Sequence, residues 1–108
     1  TAASVDPAQA RTLVRSPLAY TDLAVVVDEA VTAASLESSL RAGAGELLES
    51  LSLFDVYRGD QVGRGRKSLA YRLNVRAPDR TLRAEEVSAL RDAAMAKAAA
   101  DHGATQRA

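Results

Sequence analysis

Leu47–Arg58 reads LLESLSLFDVYR, and the parity of its apolar residues changes partway along. Leu51 and Leu53 stand on odd positions, then Phe54 and Val56 take over on even ones. Side chains alternate faces along a strand, so one extra residue, a β-bulge, carries the core face from one parity to the other. The spacing predicts a strand over 47–58. Beyond the bulge, Phe54 and Val56 turn to the core while Asp55 and Tyr57 share the opposite side.

The flanks extend the pattern. The loop Gly59–Lys67, GDQVGRGRK, carries Gly59, Gly63 and Gly65, as a hairpin connection does. In the next strand Leu69, Tyr71, Leu73 and Val75 point one way; Ser68, Ala70, Arg72, Asn74 and Arg76 point the other. Upstream, Ser16-Pro17 marks a boundary, because the residue before proline is pushed to extended geometry. DLAVVVDE, Asp22–Glu29, alternates as a strand with Leu23, Val25 and Val27 on one face. Thr32 is the expected N-cap of a helix, with Val31 and Leu36 as a hydrophobic staple. Leu36 and Leu40 form its apolar stripe, and Gly43 is the expected stop. Downstream, a helix is expected over Ala84–Asp101. Glu85 and Glu86 lie in its first turn, and Val87, Leu90, Ala94 and Ala98 on its buried side. Gly103 ends it, and ATQR is a weakly signalled closing strand.

The element order is strand, helix, strand, strand, helix, strand. That is an α+β, ferredoxin-like βαββαβ split sandwich: a four-stranded antiparallel sheet with two helices on one face. Residues 1–15 read as a leader or linker and residues 16–108 as the domain. The other sheet face stays open, so it must be polar or bind something. It would carry Ala24, Asp55, Tyr57, Ser68, Arg72, Asn74 and Arg76.

Composition narrows the choice of function. The 108 residues suffice for one core, and cysteine is absent, which removes disulfides and thiolate metal sites. No apolar run approaches the roughly 20 residues needed to cross a bilayer, and the first residues do not read as a signal peptide. The chain starts at Thr1 and reads as a piece of something longer. Formal net charge is zero, but eight of fourteen basic residues fall between Arg58 and Arg83, where only Asp60 and Asp79 oppose them. Such local charge attracts phosphates, though a solvated hairpin surface accounts for it equally well. The lone His102 cannot form a zinc site or a triad. GRGRKS fails as a phosphate loop, because Arg64 stands where glycine is required. No catalytic or metal-ligating set is expected.

Two readings of the open face stand on the pattern alone. In the simpler one, Tyr57 lies flat over backbone hydrogen bonds and Asp55 pairs with Arg72 or Arg76 across strands. In the other, the face binds single-stranded nucleic acid, with bases stacked on Tyr57 and cations along the backbone. A carboxylate near phosphates is repulsive unless it reads a base edge. Guanine offers adjacent N–H donors on N1 and N2 that Asp55 can accept. Ser68 would add a further polar contact, and Ala24 would permit close approach.

The ordered set Phe54, Asp55, Tyr57, Gly59, then Lys67, Ser68, Leu69, Ala70, then Arg80, Thr81, Leu82, Glu85, Glu86, Val87 closely resembles the ferredoxin-fold anticodon-binding domain of the bacterial phenylalanyl-tRNA synthetase beta chain. The likeness covers about residues 16–107 and departs at Thr21, where the family has arginine, and at the helix entry Arg83-Ala84. It implies that Asp55, Tyr57 and Ser68 contact the first anticodon base, a guanine, and that Ala24 lies beside the anticodon. It implies tRNA and a synthetase alpha subunit as partners and a cytoplasmic setting with no membrane. No cofactor is implied for this chain; ATP and magnesium belong to the parent enzyme. A ferredoxin-like regulatory domain that binds a small molecule is the alternative, with an acylphosphatase-like hydrolase behind it.

Overall fold

The computed structural model describes residues 16–107. The expected linker, residues 1–15, lies outside the described residues. Six elements follow in order: β1 (Ala19–Asp28), α1 (Ala33–Ala44), β2 (Leu48–Tyr57), β3 (Arg66–Val75), α2 (Ala84–His102) and β4 (Thr105–Gln106). The sheet order is β2-β3-β1-β4, with every neighbouring pair antiparallel. The expected ferredoxin-like topology is the one found.

The β1–β3 ladder decides which side each residue takes. Leu23, Val25 and Val27 stand opposite Tyr71, Leu69 and Lys67. These strands, Leu36 and Leu40 of α1, and Ala94 and Ala98 of α2 supply one buried cluster, so both helices cover the same face. Each fully buried Val or Leu contributes roughly 1.5–3 kcal/mol. A smaller cluster at the other end joins Val75, Ala77 and Leu82 to half-buried Val87 and Leu90 of α2. Tyr71 is fully buried, and its hydroxyl donates to Glu37 Oε2 on α1 at 3.1 Å.

The helices begin as the sequence requires and one ends elsewhere. Thr32 Oγ1 accepts from the Ser35 N–H at 3.1 Å, the expected N-cap bond, and Val31 packs on the cluster that holds Leu36. Gly43, however, is not the stop. The helix runs on to Ala44, and Gly45 caps it at φ 81°. Gly43 instead marks where α1 touches α2: a Cβ there would stand 2.6 Å from Ala93 O and 2.8 Å from Ala94 Cα. Its missing side chain serves helix packing rather than chain reversal. At the start of α2, Arg83 offers no side-chain acceptor, and Glu86 reaches back to accept from the Arg83 N–H at 2.9 Å.

β2 contains the expected bulge. Leu53 pairs with Tyr71, but Asp55 pairs with Ala70, so the ladder skips Phe54. Asp55 and Tyr57 thereby leave the helix side. One part of the expectation fails: Phe54 and Val56 are not core residues. Val56 stands opposite Leu69 on the helix side yet remains 42% exposed, and Phe54 is 57% exposed. β2 is the edge strand and is exposed or half-buried along its whole length, so facing the helix layer there does not bring burial.

Candidate nucleic-acid interface

The ladder fixes the open face. β1 contributes Tyr20, Asp22, Ala24, Val26 and Asp28; β3 contributes Arg66, Ser68, Ala70, Arg72 and Asn74. On β2, the bulge adds Asp55 and Tyr57, opposite Ala70 and Ser68. Tyr57, Ser68 and Val26 form one row across the sheet, and Asp55, Ala70 and Ala24 form the next. Two strand spacings separate Asp55 from Ala24, roughly 10 Å, about the footprint of one nucleotide. Ala24 and Ala70 make a flat floor beside the carboxylate. Four of the sequence-derived residues, Ala24, Asp55, Tyr57 and Ser68, therefore share one patch.

The two arginines stand elsewhere. Arg72 lies two residues further along β3 and is gripped from two sides. Its Nε and Nη2 donate to Asp22 Oδ1 and Oδ2 at 2.8 and 3.0 Å, and its guanidinium carbon lies 4.0 Å from the Tyr20 ring centroid. Those hydrogen bonds hold the Asp22 carboxyl below its ordinary range. Arg76 follows the end of β3, about 26 Å from Ser68 along the strand direction, and its Nε lies 3.3 Å from Glu49 Oε1. Its backbone N–H donates to Leu47 O, which ties it to the far end of the sheet. Asp55 is exposed and has no ion pair among the described residues. The cross-strand pairing of Asp55 with Arg72 or Arg76 is thus absent, because each arginine holds a different acid.

The basic run also changes meaning once folded. Arg58 donates to both carboxylate oxygens of Glu29, at 2.7 and 2.8 Å, and Lys67 approaches the same group at 3.6 Å. The hydrogen bonds from Arg58 hold the Glu29 carboxyl at about 2. Arg66 pairs with Asp28, and Arg80 and Arg83 with Glu86. Of the eight cations between Arg58 and Arg83, only Arg64 has no carboxylate partner among the described residues. It lines a shallow depression of about 320 Å³ with Glu29, Arg58, Gly59, Asp60, Gly63, Gly65 and Arg66. Charge clustered along the sequence is therefore largely neutralised in space by acids from β1, β2 and α2.

Two residues on this face escaped the sequence reading. Tyr20 is a second aromatic there, 58% accessible, and the alternation Ala24, Asp22 carried back two positions would have found it. Arg107 lies with its guanidinium carbon 4.5 Å from the Tyr57 ring centroid, a contact no local pattern signals. Ser68 is only 2% exposed in its row beside Tyr57. Gly59 sits against the Tyr57 hydroxyl, where a Cβ would collide with it.

Ser39, Asp101 and His102 also meet, between the two helices. The Ser39 hydroxyl donates to Asp101 Oδ2 at 2.6 Å, and His102 Nε2 lies 3.0 Å from Ser39 Oγ and 3.4 Å from Ser35 O. The serine proton points to the carboxylate and not to the imidazole. Asp101 does not orient the ring, so this is a helix clasp and not a triad. No group of three or more His, Cys, Asp or Glu among the described residues is placed to hold a metal ion. No described helix is long and apolar enough to cross a membrane.

The profile of the family described as the ferredoxin-fold anticodon binding domain matches residues 15–107. The chain belongs to that family. This anticodon-binding chain is 62% identical over 91 residues to the phenylalanine–tRNA ligase beta subunit of Thermobifida fusca. Identity is 58% to that of Streptomyces avermitilis and 57% to that of Nocardia farcinica, each also over 91 residues. These matches cover 84% of the anticodon-binding chain and 11% of each relative's own length.

Proposed function

We propose that this chain is the part of a phenylalanine–tRNA ligase beta subunit that recognises the anticodon of the tRNA, and that the patch of Asp55, Tyr57, Ser68 and Ala24 holds the first anticodon base. The observation that carries the reading is the bulge at Phe54. It turns an unpaired carboxylate and an aromatic ring together onto the uncovered sheet face. Tyr57 supplies a stacking plane for an unstacked base. Asp55, with no cation to satisfy it, accepts from N1–H and the exocyclic amine of guanine. The alanine floor lets the ribose approach the sheet. The family match and the relatives favour this reading over a regulatory or hydrolytic one.

The chemistry that joins phenylalanine to the tRNA, with its ATP and magnesium, would then lie in the other parts of the enzyme. The alpha subunit would be the partner in that assembly, and the cytoplasm its setting. This chain contributes recognition only.

Titration with stem-loop RNAs that differ only in the first anticodon base tests the reading. Guanine should bind tightest. Tyr57→Ala should weaken binding by about 1–3 kcal/mol, the value of one base stacked on an aromatic. Asp55→Asn should erode the preference for guanine while leaving the fold intact. Equal affinity of the wild-type chain for all four loops would refute the proposal.

A further inference from the structure

Tyr57 does not present a bare ring. The Arg107 guanidinium lies over it, with its carbon 4.5 Å from the ring centroid, and Nη2 donates to Gln61 Oε1 at 2.8 Å. The Arg107 backbone N–H donates to Ala24 O at 2.9 Å. That bond carries the β4 edge one residue beyond Gln106 and delivers the side chain across the open face. The guanidinium therefore bridges the final strand and the glycine-bearing loop, on the surface where a base would stack.

Arg107 differs from the other cations of this face in what holds it. Arg72 is forked onto Asp22 and Arg58 onto Glu29, and Arg66 pairs with Asp28. Arg107 has no carboxylate partner among the described residues. Its ties are a neutral amide and the face of a ring, both weaker than a charge-assisted fork. A guanidinium is also the cation that both lies on aromatic planes and grips phosphate through parallel donors.

We infer that Arg107 is a resident occupant of the base platform that RNA displaces: as a base stacks on Tyr57, the guanidinium leaves the ring and pairs with the phosphate flanking that base. Arg107, rather than Arg72 or Arg76, is then the cation that follows the RNA backbone at the platform. The inference rests on the anticodon reading above.

The test is a salt series with a stem-loop RNA carrying the phenylalanine anticodon, for wild type and for Arg107→Ala, Arg107→Gln, Arg107→Lys and Arg72→Ala. Arg107→Ala should lower the slope of log affinity against log salt by about 0.7, one single-strand phosphate, so that its deficit shrinks about fivefold over a tenfold rise in salt. Arg107→Gln should do the same while keeping a planar group to hold the fold; it stands in if circular dichroism shows the alanine variant unfolded. Arg107→Lys and Arg72→Ala should keep the wild-type slope. Wild-type slopes for Arg107→Ala and Arg107→Gln, with guanine discrimination intact, would overturn the role of Arg107 alone. A wild-type chain that fails to discriminate the first base would remove the anticodon reading, and this inference with it.

Discussion

Replacing Gly43 by alanine should destabilise this chain, although helix propensity argues the reverse. Glycine inside a helix costs about 0.8–1 kcal/mol relative to alanine, and Gly43 lies within α1. At a free surface the change would therefore raise the melting temperature by roughly 4–8 °C for a domain of this size. Here the added Cβ would meet Ala93 O at 2.6 Å, Ala94 Cα at 2.8 Å and Lys97 Cβ at 2.8 Å. Two of these are backbone atoms and the third is fixed to the backbone, so no rotamer change relieves them. Ordinary contact requires the helices to part by about 0.5–1 Å, a gap that forfeits a quarter to a half of each affected dispersion contact. Overpacking of this kind costs about 1–3 kcal/mol. Set against the propensity gain, the expected net loss is up to about 2 kcal/mol, a fall of several degrees. Thermal denaturation followed by circular dichroism reads the sign directly. Gly45→Ala is the control, because nothing lies within 4 Å of a Cβ there and only the positive φ of 81° opposes it. A rise in melting temperature for Gly43→Ala would refute the close approach of α1 and α2. The open sheet face lies on the other side of the strands, so base preference should not move in either variant.

Two further outcomes follow from the ion pairs. Glu29 titrates at about 2 against an ordinary 4.5, because Arg58 hydrogen bonds to its charged form. A depressed folded pKa adds stability that is present above the ordinary carboxylate range and lost as pH falls toward 2. Glu29→Gln should therefore flatten the acid limb of the stability curve over that window, and high salt should mimic part of the change; an unaltered acid limb would contradict the pairing. Arg72→Ala should cost less than about 1 kcal/mol, since the Asp22 pair is exposed, and should leave the preference for guanine untouched; loss of that preference would mean that Arg72 reaches the base.

Much of the fold was legible because each element carries a local signal. The alternation of Leu69, Tyr71, Leu73 and Val75, the cap at Thr32 and the glycine at 103 each state a conformation that neighbours in sequence enforce. The bulge was legible too, since the parity switch between Leu53 and Phe54 has few other causes. Local signals say nothing about coverage. Phe54 and Val56 look like core residues, yet they are exposed because β2 is an edge strand with little burial anywhere along it. Gly43 looks like a stop, yet it is a contact point with a helix some fifty positions away.

The sequence by itself determined the order of elements, the side of β2 on which Asp55 and Tyr57 emerge, and the likeness to the anticodon-binding family. Only the tertiary structure decided which charges are available and what covers the ring. The basic run from Arg58 to Arg83 reads as a phosphate-attracting block, but folding brings Glu29, Asp28, Asp22, Glu49 and Glu86 to seven of its eight cations. Arg107, fifty residues from Tyr57, comes to lie over its ring only through the pairing of β4 with β1. Side-chain periodicity is fixed by the backbone of one strand, whereas charge pairing and ring stacking act through space between strands that the chain brings together from far apart.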